Sequence, residues 1–433
     1  MISRKAALLI ALAAPWSQVF AQTPSDSLRL STLRNAAITT DPRAAQIRLL
    51  ESQSALRLQN IGADLRPTLS VDGLAQYQSD VTNLKVDLPG ITLPTPAHDS
   101  YDARLGAQQK IFDPSIGPRR AVERAQLAES EARVKTSLYA LMESVNSAFY
   151  TALRAQMQIA ELETTLTDLE AQLKIADARV SAGTALASES NSLRAELLRR
   201  RQSISEQRAS RVAAIAILSD LTGRRIDPAI PLAIPSLATE AAATRTSLDS
   251  IRQRPEYEQF ARTREVLRQN ESARAAQDLP RVVAFGRIGY GRPGLNPLSD
   301  KFDTYWLSGI QLQWTPWNWG TTSRDRQVTE LQRQIVTTEE QAFTAQLQRS
   351  VETDLATIDR LEASVKDDDE IIALRESVLT ETRARFRESV ITSAEYVDRQ
   401  TDVLSARLSR AIHRVELSQA RAHLLNTLGI EVR

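Results

Sequence analysis

The sequence contains no cysteine among its 433 residues. Disulfide bonds, thiol catalysis and cysteine-ligated metal sites are therefore excluded, and we expect no lipid anchor on an N-terminal cysteine. The sequence also lacks a large net charge, because its 54 Lys and Arg residues nearly balance its 53 Asp and Glu residues. Because a nucleic-acid-binding surface needs a basic field, we expect no nucleic acid partner.

Long apolar runs are absent beyond the first residues of the chain. No later segment has about 18 uncharged apolar residues, so we expect no transmembrane helix. Residues 1–21 predict a secretory signal peptide, with Arg4 and Lys5 before an apolar run and a small-residue cleavage site ending at Ala21. An uncleaved anchor is disfavoured because this run is too short to span a bilayer. We therefore expect an exported protein whose mature chain begins at Gln22.

Residue patterns typical of enzymes and metal sites are missing as well. The three histidines, His98, His413 and His423, are scattered and do not have metal-ligand spacing. No nucleophile elbow, phosphate-binding loop or zinc-protease helix motif occurs. We therefore predict a protein that is not an enzyme and that needs no cofactor and no metal.

Proline and glycine are scarce in one long stretch. Residues 119–227 contain no proline, and their only glycines are Gly183 and Gly223. Apolar residues recur there at alternating steps of three and four, the spacing of a coiled coil. This seam consists of Leu138, Leu141, Val145, Ala148, Ala152, Ala155, Ile159, Leu162, Leu166, Leu169, Leu173, Ala176 and Val180. The pattern predicts a long helical hairpin over 118–223 with its turn near Gly183.

Two segments before this hairpin alternate apolar and polar residues with a period of two. Segments 67–78 and 101–112 each predict a strand with one apolar and one polar face. Each has about 10 to 12 residues, the length of a strand that crosses a membrane.

The plan then repeats, which is the strongest signal in the sequence. Pro42, Pro67, Gly73 and Tyr77 recur as Pro255, Pro280, Gly286 and Tyr290, all displaced by 213 positions. We predict a first repeat over 22–230, a linker over 231–253, and a second repeat over 254–433. Each repeat comprises a helix, two strands and two long helices. The second repeat has strands at 281–291 and 304–315 and a helical hairpin over 320–429 that turns near Ser389.

Aromatic residues cluster at the ends of the predicted strands. Tyr77, Tyr101, Tyr290 and Tyr305 mark one end, and Trp314 and Trp317 mark the other. Such belts are typical of membrane interfaces. A membrane sheet must close on itself, and four strands are too few, so several chains would have to share one barrel. The alternative is a water-soluble four-stranded sheet packed on the helices.

Several motifs resemble those of the TolC family of outer-membrane efflux and secretion channels. They are Asp41-Pro42, the 63–70 segment ADLRPTLS, the 109–113 segment QKIFD, the 179–183 segment RVSAG and the 424–429 segment LLNTLG. The resemblance implies an α+β chain with four transmembrane strands and long coiled-coil hairpins. Three such chains would form a homotrimer with a shared 12-stranded barrel in the lipid of the outer membrane and a long periplasmic α-barrel. It also implies a periplasmic adaptor and an inner-membrane transporter of RND, ABC or MFS type.

The resemblance further implies roles for residues near the two hairpin turns. An acidic ring at the periplasmic entrance would comprise Glu189, Glu395 and Asp398. Docking of the adaptor would involve Arg179, Gly183, Thr184, Arg385, Ser389 and Val390. Ser389 replaces the family's glycine, and Ile391 replaces a basic residue that some members use to latch the entrance. The alternative function is a non-pore periplasmic coiled-coil scaffold or adaptor, and the transported substrate stays open.

Overall fold

The computed structural model describes residues 27–81, 97–244, 248–296 and 299–430. The predicted signal peptide lies outside these residues. The helices of the first half are α1 (Leu30–Thr40), α2 (Ala44–Ala63), α3 (Ile116–Ser181), α4 (Ala187–Thr222) and α5 (Ala238–Thr244). A 3-10 helix (Leu248–Gln253) precedes α6 (Pro255–Gln277), α7 (Thr321–Arg387) and α8 (Ser393–Thr427). The strands are β1 (Thr68–Tyr77), β2 (Asp99–Phe112), β3 (Arg281–Arg292) and β4 (Asp303–Gln313).

Two long helical hairpins dominate the molecule. Helix α3 has 66 residues and α7 has 67, so each extends for about 100 Å. Helix α3 packs against α4, α6 and α8, and α7 packs against α6 and α8. The predicted seam of α3 faces these neighbours, with Val145, Ala152 and Leu169 fully buried. The fold class predicted from the sequence is confirmed.

The largest apolar cluster lies near the middle of the hairpins. Phe149 and Leu153 of α3 meet Leu218 of α4 and Leu425 of α8 there. The segment predicted to be a linker also packs on this region, because Leu232 is buried in the same cluster. That segment contains α5 and the 3-10 helix, so it contributes to the core rather than spanning open solvent.

A local break separates α1 from α2 at Asp41-Pro42. Proline has no N–H for an intrahelical bond, so the first helix ends before it. The Asp41 carboxylate then accepts hydrogen bonds from the backbone and the guanidinium of Arg43, at 2.8 Å each. The carboxylate therefore fixes the new helix start, and the helix predicted to open the first repeat is two helices.

The four strands form one antiparallel sheet in the order β1-β2-β3-β4. Its register places Val71 opposite Leu105, Leu105 opposite Ile288, and Ile288 opposite Trp306. These four side chains are 85%, 49%, 62% and 75% exposed, although they would normally be buried in a water-soluble protein. The sheet therefore has a continuous apolar face that nothing within the described residues covers.

The helices continue the sheet in the same lateral order, because α2 packs on α3, α3 on α6, and α6 on α7. Each strand thus leads into or out of one helix of a single layer. Within the described residues, no helix combines the length and the apolar character that crossing a membrane requires.

Candidate functional site: the apolar sheet and the hairpin ends

Aromatic side chains border the apolar face of the sheet at both ends. At the end formed by the β1–β2 and β3–β4 connections, Phe302 stacks between Tyr101 and Tyr290, with ring centroids 6.1 and 5.5 Å apart. At the opposite end, Trp317 packs edge to face on Trp319 at 6.0 Å. Tyr77, Trp314 and Trp317 are largely exposed. Exposed aromatic rings at two levels of a sheet are typical of membrane strands, and the assignment of these residues to a membrane interface stays a prediction.

Tyr305 lies on the opposite face of the sheet from these rings, and its role at a membrane interface stays a prediction. It pairs with Gly289, on the polar face of the sheet, and its hydroxyl donates to the Asp102 carboxylate at 2.5 Å. A Cβ at Gly289 would lie 2.5 Å from the tyrosine ring, so the glycine makes room for it. The neighbouring Trp306 takes the apolar face instead, as the period of two requires.

The turns at the ends of the two hairpins have the same backbone geometry. The Thr184 N–H donates to the Arg179 carbonyl at 2.9 Å, and the Val390 N–H donates to the Arg385 carbonyl at 2.9 Å. This six-to-one bond is the Schellman motif, which needs a left-handed residue after the helix. Gly183 supplies it with φ of 71°, and Ser389 supplies it with φ of 62°.

Ser389 therefore carries backbone strain that Gly183 avoids. We expect Ser389→Gly to raise the free energy of unfolding by about 0.5 kcal/mol, because glycine adopts positive φ at little cost. Gly183→Ala should lower it by about 1 kcal/mol, since a Cβ there meets no atom within 4 Å and only strain is added. Urea unfolding followed by circular dichroism measures both changes. If both variants changed the free energy of unfolding in the same direction, the two hairpin turns would not share this backbone geometry.

The two hairpin ends are joined by Arg179. Its guanidinium donates to the carbonyls of Phe386, at 3.2 Å, and Arg387, at the C-terminal end of α7. Cations are favoured there because the last carbonyls of a helix lack intrahelical partners. The same guanidinium lies 5.8 Å from the Phe386 ring centroid, and that ring stacks on Tyr396 of α8 at 5.0 Å. Of the predicted docking residues, Thr184, Arg385 and Val390 are exposed around this contact.

A second connection between the hairpins centres on Asp168 of α3, which sequence reasoning missed. One carboxylate oxygen accepts from Arg383 of α7 at 2.9 Å, and from Tyr396 and Gln400 of α8 at 2.7 and 2.8 Å. Burial raises the pKa of Tyr396, and so does its hydrogen bond to Asp168. The tyrosine is therefore a neutral donor at physiological pH, and the carboxylate ties three helices together.

The predicted acidic residues lie beside this network at the starts of α4 and α8. Glu395 and Asp398 are exposed and three positions apart, so they share one face of α8. Neither carboxylate has an ion-pair partner within the described parts of the chain. The Glu395 N–H donates to the Thr392 hydroxyl at 3.3 Å, which caps the helix. Glu189 is half-buried at the corresponding third position of α4.

The described ranges hold no group of three or more His, Asp or Glu side chains arranged to bind a metal. Two histidines of α8 instead pair with aspartates of α7. His413 Nδ1 lies 2.6 Å from Asp368, and His423 Nδ1 lies 2.7 Å from Asp354. The hydrogen bond to Asp354 raises the pKa of His423 above its ordinary value of 6.5.

The pair of His423 and Asp354 predicts that the stability of the fold depends on pH. The pKa of His423 is higher in the folded state than in the unfolded state. Its contribution to the free energy of unfolding is therefore complete below the pKa of the unfolded state, and it is lost as the pH rises through the pKa of the folded state. We therefore expect His423→Gln to lower the melting temperature more at about pH 5.5 than at about pH 8.5. Asp354→Asn should give the same pH dependence in thermal unfolding. An equal loss at both pH values would show that the ion pair does not contribute.

Comparisons with known proteins agree with this geometry. Residues 35–224 match the family model described as outer membrane efflux protein. The fold resembles that of CusC, with a TM-score of 0.69, 16% identity, and coverage of 93% of this chain and 92% of that chain. It also resembles the MtrE outer membrane channel of Neisseria gonorrhoeae, with a TM-score of 0.65, 17% identity, and coverage of 94% and 90%. For the outer membrane protein VceC of Vibrio cholerae, the TM-score is 0.62, the identity is 16%, and coverage is 93% and 97%. A search of curated proteins found no match.

The family match covers the first repeat, and the fold likeness covers nearly the whole chain. Together they confirm the resemblance drawn from the sequence motifs. The protein is located in the outer membrane with a long helical periplasmic part, and its role is transport rather than enzymatic catalysis. Residues 35–224 thus match the outer membrane efflux protein family, and nearly the whole chain shares the fold of these solved structures.

Proposed function

We propose that three copies of this chain form an outer-membrane channel that serves as the exit duct of a tripartite efflux pump or a type I secretion system. The observation that carries the proposal is the open sheet with its exposed apolar face. Unpaired backbone groups at the edges of β1 and β4 are not tolerated in lipid, so the sheet must join others until it closes. Three chains would give 12 strands, an even number within the range of such barrels.

The helical layer supports the same arrangement, because its outermost helices carry uncovered apolar side chains. Leu49 and Leu56 of α2 are 64% and 61% exposed, and Val328, Leu331 and Ile335 of α7 are 52% to 58% exposed. Helices α2 and α7 are the two edges of the layer, as β1 and β4 are of the sheet. Apposition of α2 with α7 of the next chain would remove both apolar stripes from water and continue the barrel as a helical tube.

The hairpin ends would then form the periplasmic entrance. Three copies of Glu395 and Asp398, with Glu189 nearby, would place a ring of negative charge around the axis, favouring cations and resisting anions. A shallow groove of about 460 Å³ runs along the end of α3, and its lining includes Ile175, Ala178, Arg179 and Thr184. We assign this groove, with the neighbouring turn residues, to a periplasmic adaptor that links the channel to an inner-membrane transporter.

The experiment is reconstitution of the purified protein in planar bilayers, with its mass measured in the same detergent. We expect stepwise single-channel currents and a mass of three chains. A monomer that osmotic shock releases from the periplasm, and that gives no current in bilayers, would overturn the proposal in favour of a periplasmic scaffold.

A further inference from the structure

A groove between α2 and α3, next to the start of β1, is lined by three arginines. Arg66 lies two residues before β1, and Arg120 and Arg124 lie one turn apart near the start of α3. The groove has a volume of about 680 Å³, and Gln59 adds an amide to its wall. It therefore has the size and the donors to hold a small anionic group.

The three guanidinium groups have no acidic partner within the described residues, whereas their basic neighbours do. Arg57 pairs with Glu123 at 3.7 Å, and Arg119 donates to Asp64 at 2.5 Å. Arginines are usually found with carboxylates or phosphates, which match their planar fork of donors. A groove that gathers three uncompensated arginines therefore offers a site for an external anion.

The groove lies on the side of the layer that continues the apolar face of the sheet. Lys110, on the polar face of β2, lies 3.7 Å from Asp64 at the end of α2. Gly62, two residues earlier, is rotated by about 200° around the helix axis and faces Arg120. The arginine groove and the polar face of the sheet are therefore on opposite sides of the layer.

Gly62 gives Arg120 its place in the groove. A Cβ built on Gly62 would lie 3.0 Å from a terminal guanidinium nitrogen of Arg120. A glycine in the interior of a helix costs stability, about 1 kcal/mol relative to alanine. A Cβ at Gly62 would push the guanidinium away from the α2 backbone, so the glycine allows this close approach.

The second repeat lacks the groove's charges, so they are not required by the fold. Leu279 stands before Pro280 where Arg66 stands before Pro67. The fifth residue of α7 is Asp325, which pairs with Arg274 at 2.8 Å, whereas the fifth residue of α3 is Arg120. Since the two halves otherwise repeat, the basic groove is a specific feature of the first half.

We propose that this groove binds the phosphate of an anionic phospholipid headgroup from the periplasmic leaflet of the outer membrane. The groove adjoins the membrane strand, on the lipid-facing side, where headgroup phosphates lie. Leu65 and Phe112, 37% and 53% exposed next to it, supply apolar surface for the first acyl carbons. The assignment rests on the proposed membrane position of the sheet, and it adds a lipid ligand that the channel function itself does not require.

The test compares the wild-type protein with Arg66→Gln/Arg120→Gln/Arg124→Gln. A matched control is Arg349→Gln/Arg360→Gln/Arg414→Gln, which removes three exposed arginines without ion-pair partners in the described residues of α7 and α8. Each protein is titrated in detergent with phosphatidylglycerol or phosphatidylethanolamine, and bound lipid is counted by native mass spectrometry. Single-channel current is recorded in parallel.

We expect the wild type and the control to bind phosphatidylglycerol more tightly than phosphatidylethanolamine. The groove variant should lose at least about tenfold in affinity for phosphatidylglycerol, with its channel current intact. Equal phosphatidylglycerol binding by wild type and groove variant would overturn the site while leaving the channel function standing. Displacement of the lipid by millimolar inorganic phosphate would also overturn it, by assigning the groove to the free anion.

Discussion

Asp168→Ala is expected to raise the single-channel conductance several-fold. The Asp168 carboxylate is the common acceptor for Arg383, Tyr396 and Gln400, and it joins α3 to the α7–α8 hairpin near the proposed entrance. Tyr396 and Gln400 are buried, so removal of the acceptor leaves their donors unsatisfied, at about 1–3 kcal/mol per chain. Separation of the two hairpin ends would let water reach these groups, and it would widen the entrance.

The matched control is Asp177→Ala, at a residue near the C-terminal end of α3. Asp177 accepts from Ser190 and Arg194, which both lie on α4, so it connects only the two helices of one hairpin. We expect its removal to leave the conductance unchanged. Tyr396→Phe should give an intermediate increase, because it deletes one donor and keeps the stacking on Phe386. A loss of thermal stability in Asp168→Ala with unchanged conductance would show that the network only stabilises the fold.

Glu395→Gln combined with Asp398→Asn is expected to weaken block of the channel by a trivalent cation such as hexaamminecobalt. Both carboxylates are exposed on one face of α8 and have no ion-pair partner in the described chain. Three chains would bring six of these charges around one axis, where their potentials add. We expect the half-blocking concentration to rise by at least about tenfold in planar-bilayer recordings.

The control for this variant is Glu352→Gln with Asp367→Asn, two exposed carboxylates of α7 far from the hairpin turn. It removes the same number of charges and should leave cation block unchanged. Raising the salt concentration should reduce the difference between the wild type and the double variant, since exposed charges are screened. Block that is unchanged in the double variant would remove Glu395 and Asp398 from the pore lining.

Features set by local periodicity were predictable from the sequence. The three-and-four spacing of α3 predicts the buried seam around Val145 and Leu169, and the period of two in 67–78 predicts the apolar row of β1. The repeat then transfers both patterns to the second half of the chain. The family resemblance was visible because short motifs occur in a fixed order. These signals are carried by neighbouring residues, so no tertiary contact is needed to read them.

Features that depend on distant contacts were not predictable. Asp168 and Tyr396 are 228 positions apart, and nothing near either residue indicates their hydrogen bond. The hydrogen bond that the Tyr305 hydroxyl donates to Asp102, 203 positions away, is equally hidden in the sequence. The left-handed backbone of Ser389 could be expected only from the resemblance, in which a glycine stands at this position, because serine itself rarely adopts positive φ.

The central claim is that the open edges of one sheet pair with those of other copies. Because the natural sequence has no cysteine, Val71→Cys on β1 can be combined in turn with Trp306→Cys, Ser308→Cys and Ile310→Cys on β4, with no background thiol. All four positions lie on the apolar face of the sheet. Oxidation in outer-membrane fractions, followed by denaturing gel electrophoresis, should give covalent trimers for at least one pair. Monomers alone for every pair would contradict the account.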